Sequence, residues 1–358
     1  MKKTLKIIAI VLAALVLIAA GYVIYVFAAF HRIGDQALPV GGAARPETLE
    51  TGTEYRAVSF NIGFGAYEPD YGFFMDGGTE SWAWSKERLD ANLKNIAAFL
   101  RGQDADFTLV QEVDIGSTRS YHFDERDYLI PQLAEHGAWI FAQNYDSPFL
   151  CYPLTQPHGA SRAGLMTFTK TAPITAAQRI ELPIENGFTK FMDLDRCYSR
   201  SRIPVGSGGE LVLYNLHLSA YTSDGSIADE QLKLLLDDME REATAGNWCV
   251  AGGDFNKDLL GDSSVYFGKA DREYTWAQPI PAEVLDGRSV RLVSPLNEQA
   301  PVPSCRNADG PYHPGQFVLT IDGFLVSENV SVVSADVIDT GFAYSDHNPV
   351  ELRFVLEQ

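Results

Sequence analysis

Basic side chains are scarce in this sequence. Its 358 residues carry 28 lysines and arginines against 47 aspartates and glutamates, a formal charge of −19. So acidic a surface repels polyanions, and a dedicated nucleic-acid binder needs a basic footprint, so the balance disfavours a nuclease. The plainer reading is that excess acid keeps a domain soluble. Cysteine is sparse as well. Cys151, Cys197, Cys249 and Cys305 lack zinc-ligand spacing and admit three disulfide pairings in an oxidising compartment, and Cys249 reads equally well as a buried free thiol. There is no internal repeat and no low-complexity tract. With 46% hydrophobic and 21% charged residues, the composition is that of a globular chain with a sizeable core, which excludes disorder and favours one large domain.

One long apolar run is present. Lys2, Lys3 and Lys6 precede an uncharged stretch from Ile7 to Phe30, 24 residues or about 36 Å as a helix, enough to cross a bilayer. A cleaved signal peptide is the rival reading, but its apolar region usually spans only about 7–15 residues. Three lysines before the run and Arg32 after it place the N-terminus in the cytoplasm by the positive-inside bias, with the rest outside. The expected organisation is a cytoplasmic tip and single-pass membrane anchor over 1–32, a linker over 33–53, and an extracytoplasmic domain over 54–358. Pro39, Gly41, Gly42 and Pro46 make the linker read as a flexible tether. Setting aside the three cytoplasmic lysines leaves 25 basic against 47 acidic side chains outside, or −22.

Short runs rich in β-branched and aromatic residues predict strands at Tyr55–Phe60, Phe107–Gln111, Gly164–Thr169, Glu210–Leu216, Trp248–Gly252, Thr320–Val326 and Pro349–Leu356. Helical periodicity fits Lys86–Arg101, with Leu89, Leu93, Ile96, Ala97 and Leu100 on one face, and Ile227–Glu240, with Leu232, Leu235, Leu236 and Met239 inward. Strands spread along the chain with few helices between them predict an α/β sandwich.

Six of these apolar runs end in polar clusters: Ser59-Phe60-Asn61, Gln111-Glu112-Val113-Asp114, Asn215-Leu216-His217-Leu218, Gly252-Gly253-Asp254-Phe255-Asn256, Ile321-Asp322-Gly323 and Ser345-Asp346-His347-Asn348-Pro349. Hard cations such as Mg²⁺ need a few carboxylate and amide oxygens, which Asn61, Glu112 and Asp346 offer. Phosphoester hydrolysis also needs a group that activates water and donors that hold phosphoryl oxygens, tasks that suit Asp254, Asn256, His217 and His347. Singly, an acid or amide at a strand end most often caps a turn, and a lone histidine in an apolar strand is most often a core residue.

In order and wording the six together resemble the endonuclease/exonuclease/phosphatase superfamily, with its deoxyribonuclease I-like fold, from about Glu54 to Leu356. Ser-Asp-His-Asn-Pro-Val and Gly-Gly-Asp-Phe-Asn are the specific parts. The resemblance implies a four-layer sandwich, two packed, mostly antiparallel sheets flanked by helices, behind the N-terminal transmembrane helix. It implies Glu112 as main metal ligand with Asn61 close by and Asp346 completing the site. It further implies that Asp254 activates water and Asn256 orients it, that Asp322 holds His347 against a phosphoryl oxygen, and that His217 contacts the phosphate from the other side. The implied cofactor is Mg²⁺, with Mn²⁺ as a substitute, and the implied reaction is in-line attack of water on phosphorus. The sequence departs from the family at Gly323, where an aromatic is common, and in the long segment Gly63–Ser85.

That segment carries Phe64, Tyr67, Tyr71, Phe73, Phe74, Trp82 and Trp84. It reads as a satellite core under a long loop or as a substrate or lipid contact over the metal site. Arg119 is the candidate substrate-binding residue, a phosphate clamp, or else a surface arginine paired with Asp124 or Glu125. Arg162, Arg196, Arg200 and Arg202 remain unassigned to the cleft. The function expected is hydrolysis of a phosphodiester or phosphomonoester outside the cytoplasm, with a lipid headgroup or small phosphoester favoured. An extracytoplasmic nuclease is the alternative, and a catalytically inactive binding module is disfavoured because every expected polar position is filled. No protein partner is inferred.

Overall fold

The structure, a computed structural model, describes residues 2–43, 47–133, 137–185, 187, 190, 195–220 and 226–358. Its strands are β1 (Gln36–Ala37), β2 (Gly41–Gly42), β3 (Glu54–Asn61), β4 (Phe107–Asp114), β5 (Ala138–Asp146), β6 (Arg162–Thr169), β7 (Ala176–Glu181), β8 (Cys197–Pro204), β9 (Glu210–His217), β10 (Trp248–Asp254), β11 (Val290–Val293), β12 (Cys305–Arg306), β13 (Val318–Leu319), β14 (Asp322–Ser327), β15 (Val330–Val337) and β16 (Val350–Leu356). The helices are α1 (Lys2–Ala29), α2 (Lys86–Gln103), α3 (Glu125–Leu133), α4 (Ser226–Thr244), α5 (Ser264–Phe267) and α6 (Ala282–Leu285).

Two seven-stranded sheets face each other, in the orders β1-β7-β8-β9-β10-β14-β11 and β15-β16-β3-β4-β6-β5-β2. Side chains alternate between layers, as a period of two requires. On β9, Leu211 and Leu213 join the core between the sheets, while Val212, Tyr214 and Leu216 face α4 and its Leu232, Leu235, Leu236 and Met239. On β3, Tyr55 and Ala57 point between the sheets, and Val58 and Phe60 pack under Leu89, Leu93, Ile96 and Leu100 of α2. The result is the expected four-layer α/β sandwich. Ser85 caps α2 by accepting from the Arg88 amide at 3.2 Å, and Asp104 ends it in the left-handed region.

The topology gathers the polar strand ends. β3 runs parallel to β4, and β9 parallel to β10, while β14 and β16 run antiparallel to their neighbours. The carboxyl ends of four strands and the amino ends of two therefore meet at one end of the sandwich. Register places Asp254 opposite both His217 and Asp322. Between the sheets, Gln111 Nε2 donates to Asn215 Oδ1 at 2.7 Å, and Asn215 Nδ2 donates to the Met166 carbonyl at 2.8 Å, so a satisfied buried polar bridge fixes one sheet on the other.

The segment expected to be a flexible tether is instead a strap. β1 pairs with β7, β2 pairs with β5, Leu49 bridges to Val205, and Leu38 and Leu49 enter the core. Two apolar side chains with burial available outweigh the glycine and proline content. Pro46 lies outside the described residues. All four cysteines are free thiols. From Ile7 onward α1 is apolar on every side, and most of its residues are exposed, with Leu17 at 72% and Ile18 at 69%, so it is long and apolar enough to cross a membrane.

Candidate active site

A cleft opens where the strand ends meet, lined by Glu112, Arg119, His217, Asp254, Asn256, Asp346 and His347 among others. Seven of the nine site residues named from the sequence line it directly. The other two, Asn61 and Asp322, are buried immediately behind, hydrogen-bonded to the lining.

Asp254 is the centre. Asn61 Nδ2 donates to its Oδ2 at 3.0 Å, and the Asn256 amide donates to Oδ1 at 2.8 Å. His217 Nε2 and His347 Nε2 lie 3.4 and 3.8 Å from Oδ2. Burial, reinforced by Asp322, pushes Asp254 up to about 7, although His347 and these donors pull the other way. His347 Nδ1 donates to Asp322 Oδ2 at 2.8 Å, and Ser304 donates to the same oxygen at 2.7 Å. Burial opposes charge on His347, but Asp322 and Cys305 more than offset it and hold its pKa well above the ordinary range. His217 goes the opposite way: burial, with Arg196 and His347 nearby, keeps it neutral. The site thus holds one cationic and one neutral imidazole, each beside the same carboxylate.

Local backbone aims these groups. The β4–β6 register shifts between Val110 and Val113, and the β-bulge turns Glu112, at φ 58°, out of the ladder into the cleft. Gly253 sits at φ 151° with the Leu216 carbonyl 2.0 Å from where a Cβ would stand. Gly253→Ala should therefore break the β9–β10 ladder beneath Asp254 and cost about 4 kcal/mol or more, seen as a large drop in the thermal melting midpoint. The Gly323 departure has a physical explanation too: Leu259 and Pro295 occupy the space beside it, so a side chain there would clash, and Asp322 keeps its place.

Glu112 and Asp346 are the oxygen donors that remain partly open to the cleft. Burial raises both, and Asp346 raises Glu112 further by repulsion, a strain that a bound cation would relieve. The donor set fits a hard divalent cation. Asn61 turns its Nδ2 toward Glu112 at 3.3 Å and its Oδ1 to the Gly63 amide, so it ties Glu112 to Asp254. Asp254, Asp322 and His347 also converge closely enough to hold a metal by donor count. A cationic His347 bonded to Asp322 has no lone pair for a metal, so the trio stands as a hydrogen-bonded group rather than a set of metal ligands.

Arg119 is neither at the surface nor paired with Asp124 or Glu125. It is 6% exposed, with Nε and Nη2 on the two oxygens of Asp114 at 3.1 and 2.9 Å, its guanidinium 3.9 Å from the Phe64 ring centre, and Nη2 4.0 Å from Glu112. With those nitrogens committed, it lends the cleft a fixed positive field beside Glu112. Of the unassigned arginines, Arg196 lines the cleft, whereas Arg200 and Arg202 pair with Asp238 and Glu242 and Arg162 is exposed. The aromatic segment forms the satellite core of the first reading. Phe64, Tyr67, Tyr71 and Phe73 are buried in a satellite core, and Tyr67 and Phe73 also wall the cleft. Arg306, His158 and Cys305 line the cleft without any signal in the sequence, standing apart from the six clusters, His158 in a loop and Cys305 and Arg306 on the two-residue strand β12.

The profile described as Endonuclease/Exonuclease/phosphatase family matches residues 58–347. No curated protein sequence matches the chain. Among solved structures, it is similar to an endonuclease/exonuclease/phosphatase from Beutenbergia cavernae, at TM-score 0.55 and 20% identity over 85% of this chain and 72% of that one. It is similar to ANGEL2, a 2′,3′-cyclic phosphatase, at TM-score 0.56 and 14% identity over 90% and 99%. It is also similar to the human Nocturnin catalytic domain with bound sulfate, at TM-score 0.52 and 18% identity over 88% and 97%. At such identities these likenesses establish the fold.

Proposed function

Because the chain belongs to the endonuclease/exonuclease/phosphatase family, we propose that it is a metal-dependent phosphoesterase, held at a membrane by α1, that hydrolyses a phosphodiester or phosphomonoester outside the cytoplasm. The observation that carries the reading is the convergence of Asp254, His347 and Asp322 beside Glu112 and Asp346 in one cleft. Asp254 accepts the proton of the attacking water. Its second oxygen is held by the Asn256 amide, so the accepting orbital has a fixed direction. Cationic His347, steadied by Asp322, donates to a non-bridging phosphoryl oxygen. Neutral His217 supports Asp254 from the far side and leaves a buried Nδ1 without a partner among the described residues, able to accept from substrate or water. Glu112 and Asp346 would hold Mg²⁺, or Mn²⁺ in its place, which supplies positive charge to offset that of the phosphoryl group. The −22 outside the membrane favours a small or membrane-borne phosphoester over long nucleic acid.

This assignment predicts a pH profile. Asp254 must be ionised, so kcat/KM should fall about tenfold per unit below a midpoint of about 7. His347 must be protonated, so the basic limb should lie well above the ordinary histidine range. Asp322→Asn removes the main group that favours the imidazolium and should move the basic limb down in pH while leaving the acidic limb in place. A basic limb unmoved by Asp322→Asn would contradict the role given to His347.

A scan of purified full-length protein in nanodiscs against lipid, nucleotide and polymer phosphoesters with Mg²⁺ tests the substrate class. Turnover confined to polymer would overturn the preference stated here.

A further inference from the structure

Between β5 and β6 the chain makes an excursion, Ser147–Pro157, without a charged residue. Leu150 and Gly159 close it with two backbone hydrogen bonds of 3.0 Å. Its outer side chains are apolar and exposed: Phe149 at 41%, Tyr152 at 66% and Leu154 at 85%. A clustered apolar tip of this kind needs an occupant.

Helix α1 identifies it. Tyr22 Oη donates to the Phe149 carbonyl at 3.2 Å and accepts from the Cys151 amide at 3.0 Å, while Tyr25 Oη accepts from the Phe149 amide at 3.0 Å. The excursion is thus clamped to the side of the apolar helix, below its outer end. Counting from Ile7 at the inner edge of the hydrocarbon, Tyr22 stands about 22 Å up a core about 30 Å thick. The clamp therefore lies roughly 8 Å beneath the outer boundary, within the depth of about 5–10 Å reached by interfacial elements. Tyrosine hydroxyls on these amides and this carbonyl meet the demand that lipid places on backbone polar groups.

The same face carries the rim of the cleft. Tyr152 packs on Phe74, whose ring centre is 4.8 Å from that of Phe73, and Phe73 lines the cleft. On the other side, Arg32, just past α1, bonds Asp195 at 2.7 Å, and the next residue, Arg196, lines the cleft.

We propose that segment 147–157 is a second membrane-contacting element which, with α1, seats the domain on the bilayer and brings the cleft mouth to headgroup level, so that the substrate is a phospholipid taken directly from the bilayer. The substrate half rests on the phosphoesterase reading; the seating half does not.

The test uses the full chain in phosphatidylcholine–phosphatidylglycerol vesicles. A nitrobenzoxadiazole label at Leu154→Cys, with Cys151→Ser, should emit as in an apolar medium and be quenched by lipids bearing a nitroxide high on the acyl chain. Water-like, unquenched emission overturns the seating. In parallel, the variant F149S/Y152S/L154S should cleave the headgroup phosphodiester of vesicle lipid, read as phosphomonoester and alcohol products, at least about tenfold more slowly while hydrolysing soluble bis(p-nitrophenyl) phosphate as the parent does. Equal rates on vesicle lipid, or equal loss on both substrates, overturn the proposal. Should the parent hydrolyse neither substrate, the phosphoesterase reading and the substrate half fall together, and the depth measurement still decides the seating.

Discussion

Asp254→Asn should lower kcat for a generic phosphodiester by on the order of 10³-fold or more, with KM little changed, because it removes the proton acceptor that two fixed donors place in the cleft. The substitution is nearly isosteric. The Asn256 amide and Asn61 Nδ2 both donate to position 254, so one of them loses ideal geometry when an oxygen becomes an amide nitrogen, a local cost of about 1 kcal/mol. The fold should survive, which a melting curve within a few degrees of the parent would show. His347→Ala should act on the same scale by removing the cationic donor, and the double variant should be scarcely worse than either single one, since both serve one transition state. Near-parental turnover in purified Asp254→Asn would remove the mechanism.

Chelation should be as severe. EDTA should silence hydrolysis, and Mg²⁺ or Mn²⁺ should restore it, because the paired carboxylates Glu112 and Asp346 and their raised pKa values mark a place where positive charge is missing from the protein itself. Arg119 does not substitute, since its guanidinium is spent on Asp114. Glu112→Gln should raise the Mg²⁺ concentration needed for half-activity by an order of magnitude or more and leave the melting midpoint without metal equal or higher, as one of two repelling carboxylates is gone. Full activity after chelation would count against the cation site.

Much of the architecture was legible because its central strands are apolar runs. β3, β4, β9, β10, β14 and β16 lie where the sequence predicts; the first four run one to three residues further at the polar ends that form the site, and β14 and β16 begin one or two residues later there. β8 was hidden because Ser199, Arg200, Ser201 and Arg202 break the apolar pattern; two serines are buried and the arginines reach Asp238 and Glu242. α3 was hidden by Pro131, and β15 by the half-buried pattern of a sheet edge. The strap over 33–53 defeated composition altogether, because its order comes from Leu38, Leu49 and pairing with distant strands. Within the site, residues in strand-end clusters were readable, as the chemistry and the strand end coincide in sequence. The buried pairing of Arg119 with Asp114 was not legible because it depends on the bulge at Glu112, and no local pattern announces a bulge. Cys305, 3.7 Å from His347, is brought in by β12, a two-residue strand whose position only the fold determines.

The most direct test of the central claim follows the oxygen of the attacking water. Full-length protein in nanodiscs, given Mg²⁺ and a phosphodiester in water enriched in ¹⁸O, should place a single labelled oxygen on phosphorus in the product and none in the released alcohol, with Asp254→Asn abolishing the incorporation. Label in the alcohol, or incorporation that persists in Asp254→Asn, would contradict attack on phosphorus by a water that Asp254 activates.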